Sequence, residues 1–241
     1  MEEMIKKSNI WGHLGELRKR LFYTVIGLVI CIGISLFFSE ALIQYLSRPV
    51  GGIEKLQAIE VTETVSAYMR VALLSGFILS LPWTLVQLMI FVVPGLKQKE
   101  RKWLFSAIPF ATLLFIGGVL FSFFIMLPPA LNFMTEFLSI ETNIRLKNYL
   151  DFLINLLFWV GISFETPLIF FILSKLGIVN GKMLLKGWKI AIIVIAILAA
   201  VITPTGDPVN MAILMAPLLI LYILSILLAF VARGKNKSLG E

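Results

Sequence analysis

One cysteine and one histidine are all that 241 residues provide for thiol or imidazole chemistry. Cys31 lies inside an apolar run with no second thiol, which excludes an intrachain disulfide and a cysteine metal cluster, and His13 alone cannot build a histidine site. No metal or cofactor is therefore expected. Charge is also scarce, at 15% of residues against 59% hydrophobic. There is no phosphate-binding loop, no zinc-protease helix and no nucleophile elbow, so neither ATP nor peptide-bond hydrolysis is expected and no residue is put forward as catalytic. The sequence has no convincing internal or inverted repeat, no GxxxG within a long apolar run and no low-complexity tract. Its opening segment does not read as a cleavable signal peptide, because no small-residue cleavage site follows the first apolar run.

Apolar length is what is abundant. Mean hydropathy is +0.95, and several runs approach the roughly 20 residues that cross a bilayer. The pattern predicts an all-α, polytopic membrane protein in one integral domain, 1–241. Its six spans are expected at about 21–38, 67–93, 104–127, 152–175, 190–202 and 210–231, with a cytoplasmic tail over 232–241. Span five is short for a hydrocarbon core of about 30 Å, so the bilayer thins there or "TPTGDP" dips into it. Pro82, Pro109, Pro167 and Pro217 fall inside four spans and should bend them.

The net charge of +7 comes from 21 Lys and Arg against 14 Asp and Glu. The basic residues form short groups between apolar runs and not a stripe with interleaved aromatics, so nucleic acid is not an expected partner. Most fall before span one, between spans two and three, around the turn from span four to span five, and after span six. By the positive-inside rule both termini are expected in the cytoplasm.

Few carboxylates stand close to the membrane. In "NIWGHLGELRKRLF", Ile10, Leu14, Leu17 and Leu21 make one apolar stripe, which predicts an interfacial helix over 1–20 that turns into span one. Glu16 on its other side is either an i, i+4 partner of Arg20 or an acceptor for an incoming cation. Glu100 in "VVPGLKQKERKWLF" either softens repulsion in a basic turn or plays the same acceptor role. Together they could take two guanidiniums in bidentate fashion. Glu165 in "WVGISFETPLIFFIL" is an acid at membrane depth, two residues before Pro167, whose missing N–H should free the Ser163 carbonyl. Such a residue is satisfied by a neighbouring helix or serves a function. Asp207 reads as an Asx-type turn or a cap on span six, and Pro49 as an ordinary extended turn.

"HLGELRKRL", "PGLKQKERK", "FETP" and "ITPTGDP", in this order and spacing, resemble TatC, the core subunit of the twin-arginine protein translocase. The resemblance covers almost the whole chain. It implies a bent, concave bundle in the bacterial cytoplasmic (inner) membrane that receives twin-arginine signal peptides of folded precursors and is powered by the proton-motive force. It further implies TatA-type and TatB-type single-span partners, other TatC copies and membrane lipid around it. By the same resemblance Glu16, Arg18, Phe91, Leu96 and Glu100 belong to the signal-peptide site, Glu165 is the intramembrane polar residue, and Pro49 and Asp207 lie in functional periplasmic loops. Two departures stand out: span six is longer than the family's short sixth helix, and Thr205 and Gly206 separate Pro204 from Asp207 where a Pro-Pro pair is frequent. A proton-coupled secondary transporter using Glu165 is the alternative, although paired repeats are missing.

Overall fold

A computed structural model describes the backbone of residues 2–92, 98–136, 144–203 and 208–234, and side chains over 14–91, 105–133, 144–203 and 208–232. Leu96 and Asp207 lie outside the described residues. Helices α1 (Glu2–Leu36), α2 (Ser39–Leu46), α3 (Val61–Val92), α4 (Gln98–Phe121) and α5 (Leu127–Glu136) form the first half. Helices α6 (Leu146–Phe164), α7 (Thr166–Lys175), α8 (Gly181–Lys186), α9 (Trp188–Ile202) and α10 (Pro208–Gly234) form the second. Among the described residues, five helical stretches are long and apolar enough to cross a membrane, and α9 is a shorter apolar helix.

The burial pattern is inverted relative to a water-soluble bundle. Phe22, Val29, Leu113, Ile190 and Ile220 are each at least 60% exposed, and contiguous apolar surface on that scale requires lipid around it. The interior is organised by α6. Leu150, Leu153, Leu156, Leu157 and Val160 are all nearly inaccessible and lie at helical spacing on one face, packed into a core with Val71, Phe123, Leu127 and Ala199.

Helix α1 runs without a break from Glu2 to Leu36, so the turn expected near residue 20 is absent. Leu14, Leu17 and Leu21 of the apolar stripe are 51%, 43% and 61% exposed, so that stripe does not pack on the protein. Only 6% of the membrane-crossing part of α1 is buried. What holds it is a ladder of contacts along antiparallel α3. The Ser35 and Ser75 hydroxyls hydrogen-bond, Tyr68 donates to the Leu36 carbonyl, and Trp83 Nε1 donates to the Tyr23 carbonyl at 2.9 Å. A Cβ on Gly76 would come within 2.6 Å of the Ile32 Cα, so only glycine permits this approach.

Proline acts in two ways. Pro82, Pro109 and Pro217 stay inside their helices. Pro167 ends α6 instead, because α7 restarts with Pro167 in its first turn. The chain tightens there: the Glu165 N–H reaches the Ile162 carbonyl at 3.0 Å and the Ser163 carbonyl also accepts from the cap, so it is not left free. Between α4 and α5 a π turn spans Ser122–Met126, closed by the Leu127 N–H on the Ser122 carbonyl. Pro128 and Pro129 follow at once and cannot supply the N–H groups of a regular turn. Span three thereby continues to Glu136, beyond the boundary at 127 expected from hydropathy.

At the end of the bundle opposite the α3–α4 connection, the connections form a small cap. Leu56–Gln57 pairs in parallel with Ile144–Arg145 (β1 and β2), two residues each and too short to leave a periodic signal. Pro49 is exposed in a 3₁₀ turn, Arg48–Val50, that ends at Gly51 with φ 90°. Arg145 ties the cap down. Its Nε donates to Glu63 Oε1 at 2.6 Å, its Nη2 donates to the same oxygen, and Nη2 reaches Glu60 Oε1 at 3.0 Å. The hydrogen bonds to Glu63, ahead of those to Glu60, push the guanidinium further above its already high range, so it stays charged. The Glu63 side chain is 1% exposed and that of Glu60 60%. Replacing Glu63 by Ala should therefore lower the melting temperature of the purified protein by several degrees, because a half-buried guanidinium loses its main partner. Glu60→Ala should leave it within error. Equal melting temperatures for the two variants would contradict the clamp.

Candidate functional site

Polar side chains concentrate at three levels of an otherwise apolar bundle. The first is the end where α1 meets the C-terminal turns of α3. Glu16 Oε1 accepts from Arg20 Nε and Nη2, both at 2.6 Å, so the i, i+4 pairing foreseen as one of two readings is the one observed. Arg20 does more than pair locally. Its Nη1 donates to Oε1 of Gln87 at 3.3 Å, across to a residue of α3 that is 4% exposed. Glu16, Arg20 and Gln87 thus form a relay joining the two helices, with Glu16 Oε2 uncommitted among the described contacts. Gln87 carries no signature beyond being a lone amide in "WTLVQLMIF", and that polar break in an apolar run is the signal that marks it.

Phe91 lies one helical turn beyond Gln87 on the same face of α3 and is half-buried. Arg18 is exposed in an open groove along α1 with Gly15, Leu21 and Phe22. Glu100 falls in the first turn of α4, which begins six residues after α3 ends, so Glu100 shares this end of the bundle with Glu16. The structure therefore brings Glu16, Arg18, Phe91 and the first turn of α4 to one end. Pro49 belongs to the opposite cap.

The second level is the α6–α7 break. Glu165 sits in it, half-buried, and its Oε1 is buried with no hydrogen-bond partner among the described residues. The Ser163 hydroxyl is committed to the Trp159 carbonyl at 2.7 Å. Beside the break, an open cleft of about 440 Å³ is walled by α7, α9 and α10, with Ser163, Thr166, Ala191, Leu218 and Tyr222 on its lining. A cleft that is apolar apart from hydroxyls at one level suits a helix bearing one polar side chain better than a soluble metabolite. The third level is an ion pair between Arg70 of α3 and Asp151 of α6, towards the cap. Among the described residues no group of three or more His, Cys, Asp or Glu could hold a metal ion.

Comparison with known proteins gives one answer. The family model for "Sec-independent protein translocase protein (TatC)" matches residues 12–217. The chain is 36% identical to the Sec-independent protein translocase protein TatC of Carboxydothermus hydrogenoformans over 98% of both chains. It is 31% identical to that of Koribacter versatilis, over 98% of this chain and 90% of the relative. A crystal structure described as the twin arginine translocase receptor TatC superposes with a TM-score of 0.81 at 30% identity, covering 91% of this chain and 99% of the other. With five long apolar helical stretches and one shorter apolar helix among the described residues, and apolar surfaces turned outward, this is a multi-pass membrane protein, and the chain belongs to the non-enzymatic TatC family of Sec-independent protein translocase proteins.

Proposed function

We propose that this chain is the twin-arginine signal-peptide receptor and core subunit of a translocase that exports folded proteins. It sits in the bacterial cytoplasmic membrane with both termini in the cytoplasm. The observation that carries the proposal is the relay of Glu16, Arg20 and Gln87 at the end of the bundle where α4 begins. A signal peptide presents two guanidiniums followed by an apolar segment. Its receptor needs carboxylates at the cytoplasmic surface, a ready way to release them from internal cations, and apolar helix faces continuing into the membrane. Glu16 supplies the first, and Arg20 can give it up while keeping Gln87 as acceptor, so exchange does not strand a bare cation. Glu100 supplies the second carboxylate, and Arg18, Leu96 and Phe91 frame the site. The apolar surface of α1, exposed along its length, continues it into the bilayer.

Glu165 and the neighbouring cleft complete the reading. A carboxyl held at membrane depth without a partner for its Oε1 among the described residues is suited to a polar contact from a partner helix of TatA or TatB type, or from cargo in transit. Pro49 and Asp207 act in the periplasmic loops, and other copies of this chain join the same complex. As the resemblance to TatC implies, the driving force is the proton-motive force, in keeping with a sequence that has no nucleotide-binding loop.

Two measurements test these roles. Glu16→Gln and Glu100→Gln keep shape and remove charge, and each should weaken binding of a twin-arginine peptide by about 1.5 to 3 kcal/mol. Undiminished affinity in the double variant would refute the assignment. At matched protein levels, Glu165→Gln should retain most export of a twin-arginine reporter, because an amide keeps the hydrogen bonding, whereas Glu165→Leu should lose it. A Gln variant as inactive as the Leu variant would mean that ionisation is required.

A further inference from the structure

The Arg70–Asp151 pair lies towards the cap, away from the proposed peptide site. Arg70 is nine residues into α3 and Asp151 five residues into α6, about 14 Å and 8 Å from the cap ends of their helices. That places the pair where headgroups give way to hydrocarbon. The two side chains remain 44% and 30% exposed. One guanidinium nitrogen of Arg70 donates to one oxygen of Asp151, which leaves the other donors of a five-donor fork and the second carboxylate oxygen without protein partners among the described residues. One turn below Asp151, the exposed amide of Asn155 likewise has no described partner.

These three polar groups stand at the mouth of a cleft of about 340 Å³ between α1, α3 and α6. Leu28 and Ile32 form one wall, and Phe77 and Phe158, edge to face at 5.3 Å, close the floor. Phe158 is seven residues past Asp151, so the apolar wall continues about 10 Å below the charges, roughly two-thirds of one leaflet's hydrocarbon thickness. A charged mouth over an apolar slot of this depth has the shape of an amphiphile, and its volume is within the range of small-ligand sites. The mouth is also electrically balanced. An anionic headgroup would face Asp151 with no cation of its own, whereas a headgroup with both phosphate and amine matches Arg70 and Asp151 in turn.

We propose that the α1/α3/α6 cleft binds a phosphatidylethanolamine molecule from the leaflet at the cap end. Its phosphate lies on Arg70, its primary amine on Asp151 and Asn155, and one acyl chain runs down to Phe77 and Phe158. The lipid fills the seam by which the poorly buried α1 is attached.

Native mass spectrometry of the delipidated full chain, titrated in turn with phosphatidylethanolamine, phosphatidylcholine and phosphatidylglycerol, tests this. Phosphatidylethanolamine should bind about ten-fold more tightly than the other two, since the trimethylated amine cannot donate a hydrogen bond and glycerol carries no cation. Asp151→Asn should remove that preference, whereas Arg70→Gln, which loses the contact to the phosphate common to all three lipids, should weaken binding of all three, and Arg70→Lys should retain part of that binding. Ile154→Trp, which fills the cleft without touching the charges, should lower occupancy by all three lipids, and it decides the matter if a charge variant fails to fold. Equal binding of the three lipids to the unaltered chain, a preference that survives Asp151→Asn, or displacement of the lipid by a twin-arginine peptide would overturn the proposal.

Discussion

Everything at the proposed receptor end depends on how α1 is held. A helix with 6% of its membrane-crossing part buried has almost no apolar packing to fix its rotation or depth. Its position is set instead by directional contacts along one neighbour: a glycine that admits its backbone at Ile32, a serine pair, a tyrosine on a carbonyl, an indole on a carbonyl, and the Arg20–Gln87 bond. In lipid these contacts carry more of the association than apolar area does, because hydrocarbon competes equally well for apolar side chains. The seam therefore transmits register. A shift of α1 against α3 would move Glu16 relative to Gln87 and to the end of the bundle where α4 begins.

The other half of the bundle follows different rules. Helix α6 is buried on a continuous face and anchors the core, and the proline break after it turns α7 away so that α8 can pack back on α10. Ser174 Oγ to the Ala229 carbonyl and Tyr222 to the Leu184 carbonyl, at 2.8 and 2.6 Å, fix that return. One side of the molecule is thus a rigid core, and the other is a lipid-exposed helix attached by a polar ladder. Glu165 lies at the break on the rigid side, where a fixed polar group can meet a partner without reorganisation.

Much of this was legible in the sequence, for physical reasons that differ from residue to residue. Runs of about 20 apolar residues leave few alternatives to helices, and Pro167 marked the site of the α6–α7 break. Glu16 and Arg20 could be paired by helical spacing alone. The partner of Arg20 could not, because Gln87 is distant in sequence and becomes a neighbour only once α1 and α3 are antiparallel. Arg70 and Asp151, separated by 81 residues, were hidden for the same reason. The turn expected at residue 20 failed because an apolar stripe with charges opposite describes an interfacial helix and a continuous lipid-facing one equally well. The π turn before Pro128 and the two-residue β1–β2 pairing are too short to disturb any periodicity.

The central claim is that the α1/α3 seam holds the carboxylate end of α1 at the end of the bundle where α4 begins, to receive a twin-arginine peptide. Photo-crosslinking tests it most directly, using a peptide with a reactive side chain beside its arginines and mapping the attachment sites on the full chain. The account predicts attachment to residues 14–20 of α1 and to the α3–α4 end, with both lost in a Gly76→Val chain expressed at the same level. Attachment centred on α9 and α10, unaffected by Gly76→Val, would contradict it.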